Sequence, residues 1–130
     1  MYENMLTMLM AGRAAEKLVL KRVSSGCGGA DDSDPARATR FAFDMERILG
    51  FSTEHPLLYR RHRDLGVVLD HEPELAARVH VRLEAALDRA AAILRRRRPS
   101  FHALAKALFV AQAMDEKSAW QILADGDPAP

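Results

Sequence analysis

Apolar positions in the first 20 residues recur with the period of an α-helix. Tyr2, Met5, Leu6 and Leu9 stand at i, i+3, i+4 and i+7, and Leu18, Val19 and Leu20 complete the apolar end. The pattern predicts one helix that stops near Arg22. Lys21 to Ser33 reads as a loop, because Ser24-Ser25-Gly26 and Gly28-Gly29 break helical and strand periods alike, with Val19 to Val23 able to extend as a short edge strand. Asp34-Pro35 then opens a second helix, with Asp34 as N-cap and Pro35 in the first helical position. Ala38, Phe41, Ala42, Met45, Ile48 and Leu49 form its apolar face. Arg37, Arg40, Asp44 and Arg47 lie mostly opposite, and Gly50 is the residue past its end.

Residues 51–69 follow neither period and read as an irregular excursion. Asp70 is placed to cap a long third helix, in which Leu75, Val79, Leu83, Ala86, Ala90, Ile93 and Leu94 recur at alternating spacings of three and four until Pro99 stops it. A fourth helix carries Phe101, Leu104, Ala105, Leu108 and Phe109. Asp115 caps a last short helix with Trp120 and Ile122, ending near Leu123. The expected architecture is all-α: a bundle of three long amphipathic helices plus short flanking ones. One domain covers 1–123, and a frayed, disordered tail covers 124–130.

Composition agrees with this. The 130 residues suit one domain able to bury roughly two-thirds of its unfolded surface. Hydrophobic residues make up 48% and charged ones 28%, an ordinary globular balance, while the excess of Ala and Leu favours helices. Nineteen Lys and Arg against 18 Asp and Glu give a net charge of +1, so no global field draws the chain to nucleic acid or anionic lipid. The single cysteine, Cys27, excludes an internal disulfide and a cysteine-built zinc cage, and is compatible with a reducing cytoplasm. The apolar run from Met5 to Ala11 is far below the ~20 residues of a membrane span and lacks the basic start of a signal peptide. A soluble protein is expected.

Candidate chemistry is sparse. A zincin needs H-E-x-x-H, which puts two histidines on one helical face with a general base beside them. His71-Glu72-Pro73-Glu74-Leu75 begins like it, but Leu75 stands at the second histidine, and Pro73 marks a helix start. Ser25-Gly26-Cys27-Gly28-Gly29 is too short for a phosphate loop and lacks its lysine. The basic run Arg95 to Arg98 sits where it complements a helix C-terminus, without the interleaved aromatics that stack bases. Asp31, Asp32 and Asp34 gather three carboxylates, suited either to holding a cation or to forming turns and caps. Gly12 with Ala11, Ala14 and Ala15 forms a small-residue patch that admits a close helix neighbour. Glu16 reads as a surface or capping carboxylate.

Several stretches carry a resemblance. Leu9-Met10-Ala11-Gly12-Arg13-Ala14-Ala15-Glu16, Val23-Ser24-Ser25-Gly26, Asp34-Pro35-Ala36-Arg37-Ala38-Thr39 and Gly50-Phe51-Ser52 resemble, in order and spacing, the signatures of the FtsH-type ATP-dependent zinc protease domain. Ala86 to Ala90, Ala103 to Leu108 and Met114-Asp115 are similar to its paired C-terminal helices. The resemblance covers residues 9–123.

It implies an α-helical metallopeptidase domain that, in the full protein, is attached to an AAA+ ATPase feeding zinc sites in a hexameric ring. It implies Asp34 as the third zinc ligand, with Ser33 in place of the family's Asn; an alignment shifted within the longer loop moves the role to Asp32. Gly12, Arg13, Glu16, Arg37 and Thr39 are the matched signature positions. The family's histidine helix and ATPase are absent from these 130 residues. The expectation is therefore the C-terminal helical part of such a domain, truncated or evolved away from catalysis. By itself it would bind no zinc and cleave no peptide, and it would sit on the cytoplasmic side of a membrane reached only through absent segments. Its partners would be further copies or the missing peptidase and ATPase segment, with protein substrates and no nucleic acid. The rival expectation is a non-catalytic helical interaction or oligomerisation module derived from that scaffold.

Overall fold

A computed structural model describes residues 1–22, 29–49, 51, 56–58 and 64–126. The Val23-Ser24-Ser25-Gly26 signature, Cys27, the Gly50 helix stop, His55, the basic Tyr59 to Arg63 run and the last four residues lie outside the described residues. Among those described, every regular element is helical: α1 (Tyr2–Leu9), α2 (Ala11–Leu20), α3 (Asp34–Arg47), α4 (Leu65–His71), α5 (Pro73–Arg96), α6 (Arg98–Ala111) and α7 (Glu116–Gly126). The all-α class stands, and no edge strand forms near Val19, which lies in α2. The chain divides into two compact units, Met1–Ala91 and the residues from Ala92 onward.

Several element boundaries differ from expectation. The first helix is split at Met10, although the Met10 N–H still bonds Leu6 O and its carbonyl still accepts from Ala14. The cap of α3 is Ser33, not Asp34. Ser33 holds the extended backbone (φ −61°, ψ 154°) a cap requires, and its Oγ accepts from Ala36 N at 3.4 Å, which puts Asp34 and Pro35 inside the first turn. Residues 65–71 are helical, capped by Asp64, whose Oδ1 accepts from Val67 N at 3.2 Å; Asp70 lies within α4 and caps nothing. Pro73 disfavours helical backbone at Glu72 (φ −119°, ψ 76°), so one helix ends and α5 begins at the proline. Pro99 likewise has no N–H to give Arg95 O, and the break falls two residues ahead of it, at Arg97 (φ −108°, ψ 32°).

In the first unit, Leu6, Leu9 and Met10 meet Ala38, Ala42, Phe43 and Met45 of α3, Val68 of α4, and Leu75, Val79 and Ala86 of α5 in one buried cluster. Leu6 and Phe43 are the largest fully enclosed side chains there, each contributing about 2 kcal/mol by burial. Tyr2 stacks on Phe41 with ring centroids 5.7 Å apart. The predicted seam of α5 holds for Leu75, Val79, Ala86 and Ala90, whereas Ile93 is exposed.

Polar side chains lock the same helices together. Glu46, its side chain only 5% exposed, accepts from Arg78 Nε at 3.2 Å and from Arg82 Nε. Arg82 also donates to Phe51 O at 2.9 Å and reaches Glu3 of α1. Arg89 clamps Glu3 at 2.6 Å and Thr7 Oγ1 at 3.1 Å. Arg47, assigned by pattern to the solvent face of α3, is enclosed, pairs with Glu72 at 2.9 Å and lies over the Phe43 ring.

In the second unit α6 packs against α7. Ser100 is fully enclosed, and a Cβ at Gly126 would come within 2.8 Å of Ser100 Cα, so the helices touch backbone to backbone and only glycine fits. Asp115 caps α7 as expected, with Ser118 N donating to its Oδ1 at 2.7 Å. α7 continues through Gly126, past the expected end at Leu123.

Glu46→Gln should destabilise the chain by about 3 kcal/mol, because two arginines lose their enclosed counter-charge. The check is a lower urea midpoint at unchanged slope. The exposed pair partner Glu84 serves as control, its Gln variant staying within about 0.5 kcal/mol. The hydroxyl and backbone N–H of Ser118 hold the Asp115 carboxyl below its ordinary range, with the small desolvation acting the other way. A depressed folded-state value stabilises fully above the unfolded value, near 4, and the contribution is lost as pH falls through the folded one. Hydrogen-exchange protection of the Ser118 amide should therefore fall below about pH 4 and be unchanged between about pH 5 and 7, and Asp115→Asn should remove that dependence.

Candidate functional site

The matched signature positions lie on α2 and the first turns of α3. On α2, Ala14 is buried in the core direction while Gly12 on the opposite side is exposed, and a Cβ built there meets nothing within 4 Å. The close helix neighbour expected at the small-residue patch is not found among the described residues. Glu16 is half-buried.

At the start of α3, Ser33 N donates to Ala30 O at 3.1 Å, closing the turn that carries Asp31 and Asp32, both exposed. The Asp34 side chain is 58% exposed and reaches Arg37 at 3.6 Å, an open surface pair worth little. One turn on, the Thr39 hydroxyl donates to Pro35 O at 2.8 Å. Asp34 thus stands at the positive end of α3, where a carboxylate is favoured with or without a metal.

Two of the signature residues meet at a pocket of about 280 Å³ within the first unit. Arg13 and Thr39 form part of its wall with His80 and Glu84, which pair at 3.3 Å across one turn of α5. The apolar part of the wall comes from Met10, Pro35, Leu83 and Leu87. His80 and Glu84 were not singled out by sequence. Their i, i+4 spacing was visible, but such pairs are common on exposed helix faces. Arg37, by contrast, lies outside the pocket wall.

A zinc site needs three or four ligands at fixed geometry. No group of three or more His, Cys, Asp or Glu able to hold a metal occurs among the described residues. Among the described residues Asp34 and Asp32 are therefore not joined by further ligands, and the described side chains do not by themselves fit a zinc ion. No described helix is long and apolar enough to cross a membrane.

The helical fold is consistent with the resemblance these signatures carry, and comparison with known proteins shows the family. The chain belongs to peptidase family M41, whose family model matches residues 1–122. It is 31% identical over 130 residues to the ATP-dependent zinc metalloprotease FtsH 4 of Sphaerobacter thermophilus, a match covering 91% of this chain and 19% of the relative. It is 34% identical over 113 residues to the ATP-dependent zinc metalloprotease FtsH of Caldicellulosiruptor bescii, covering 77% and 18%. The chain thus spans about a fifth of the length of these relatives. No solved structure matches it.

Proposed function

We propose that these residues are the ligand-loop and scaffold portion of an M41 zinc-peptidase domain, with Asp34 as the carboxylate offered to a metal whose remaining ligands come from outside this chain. The observation that supports this is the position of Asp34, exposed in the first turn of a helix capped independently by Ser33. Because the cap is Ser33, the Asp34 carboxylate is not committed to holding the helix start. In this reading the chain alone neither retains zinc nor cleaves peptides. Protein degradation, ATP dependence and assembly into larger rings belong to the whole protein of which this domain forms part, with the metal on the cytoplasmic side of a membrane.

The test is titration of the purified 130-residue chain with ZnCl₂, together with a casein-cleavage assay with and without chelator. The expected result is no stoichiometric binding and no chelator-sensitive cleavage. On addition of a peptide carrying the family's histidine helix, zinc should be retained in a manner abolished by Asp34→Ala, with α3 helicity unchanged in circular dichroism. Tight zinc binding by the chain alone, or retention that survives Asp34→Ala but not Asp32→Ala, overturns the assignment.

A second reading, self-association or docking of a partner helix, is favoured by one specific feature. Met5, Met8, Gly12, Ala15 and Val19 repeat at spacings of three and four on the side of α1 and α2 away from the buried Leu6, Met10 and Ala14. Met8 is 66% exposed and Val19 50%. Light scattering across a concentration series should show a species heavier than the monomer that Gly12→Glu abolishes; a monomer throughout refutes self-association.

A further inference from the structure

The pocket at the junction of α2, α3 and α5 has a balance of charge that the metal reading does not use. Its polar lining residues are Arg13, Glu84, His80 and Thr39, which between them bring a guanidinium, a carboxylate, an imidazole and a hydroxyl to the pocket region, with the His80 and Glu84 side chains at its exposed rim. Arg13 forms no ion pair among the described residues, and Thr39 has already given its hydroxyl proton to Pro35 O, so toward a ligand it can only accept. Glu84 has His80 as its partner, a pairing whose charge depends on imidazole protonation. A purely anionic ligand drawn to Arg13 would face the Glu84 carboxylate, and a purely cationic one drawn to Glu84 would face Arg13. A small molecule that carries both charges satisfies both.

The remaining wall is apolar. Met10 is 7% exposed, Leu83 and Leu87 are half-buried against the core, and Pro35 contributes its ring. At about 280 Å³ the space lies just below the range of roughly 300–1,000 Å³ typical of drug-sized ligands, which sets the size of what it can enclose. A small apolar body with a zwitterionic head fits all three constraints.

We propose that this pocket binds a free apolar α-amino acid of the size of leucine or methionine. Arg13 takes the α-carboxylate, Glu84 and the Thr39 oxygen take the α-ammonium, and the side chain lies against Met10, Leu83 and Leu87. The site is independent of the metal assignment, since Asp34 is not part of its wall.

Titration of the ¹⁵N-labelled 130-residue chain with L-leucine, followed by amide chemical shifts, tests this directly. Saturable shifts centred on Arg13, Thr39 and Glu84 are expected, with a Kd on the order of 1 mM for so small a ligand. N-acetyl-leucine, which keeps only the carboxylate, and leucinamide, which keeps only the ammonium, should each bind at least about tenfold more weakly. Arg13→Met and Glu84→Gln should each weaken leucine binding by a similar factor; Glu84 lies on an exposed helix face, so its variant tests the pocket without risk to the core. Absence of saturable shifts up to about ten times that concentration overturns the proposal. So does equal binding of N-acetyl-leucine, which would make this a simple carboxylate site, or equal binding of leucinamide.

Discussion

One enclosed carboxylate organises the first unit. Glu46 sits at the end of α3 with its side chain 5% exposed, and the guanidinium groups of Arg78 and Arg82 make its charge tolerable there. Hydrophobic contact holds helices together without choosing a register; a buried charge is far less forgiving. A shift of α5 by one residue would carry both arginines off Glu46 and leave an unpaired carboxylate in an apolar setting. Arg82 and Arg89 extend the same constraint to Glu3 at the start of α1. Three helices distant in sequence are thus tied to a single alignment.

That alignment produces the pocket. At 3.6 residues per turn, α5 presents its arginines on one flank, Leu75, Val79, Ala86 and Ala90 along the middle, and His80, Leu83, Glu84 and Leu87 on the other flank. Once Glu46 has fixed the arginine flank against α3, the opposite flank is delivered to the start of α3 and to Arg13. The fold-determining network and the chemically interesting surface are two sides of one helix.

The metal question has a different physical basis. Membership of a zinc-peptidase family and the absence of a ligand group among the described residues are compatible, because a zinc site assembled from several segments exists only when all of them are present. Asp34, the ligand proposed for such a site, is favourably placed with or without a metal. At the first turn of α3 a carboxylate is favoured by the helix dipole and the Arg37 charge, while the capping itself is done by Ser33.

The amphipathic periods of α1, α3 and α5, the stops at proline and the Asp115 cap were legible in the sequence, because they depend on interactions within a few residues. The order of the signature motifs likewise identified the family without a structure. Local rules failed where two residues competed for one role: Ser33 and Asp34 were both acceptable caps, and only backbone geometry chose between them. They failed also for residues 65–71, too short a segment for periodicity to declare, and for Phe43, Glu46 and Arg47 of α3, whose burial depends on what α4 and α5 bring against them. Sequence alone therefore determined the helical class and the family, and it nominated Asp34 as a ligand. The tertiary structure decided which charges are enclosed, and that Arg13 and Thr39 share a pocket with His80 and Glu84, because contacts between helices far apart in the chain leave no periodic trace within any one of them.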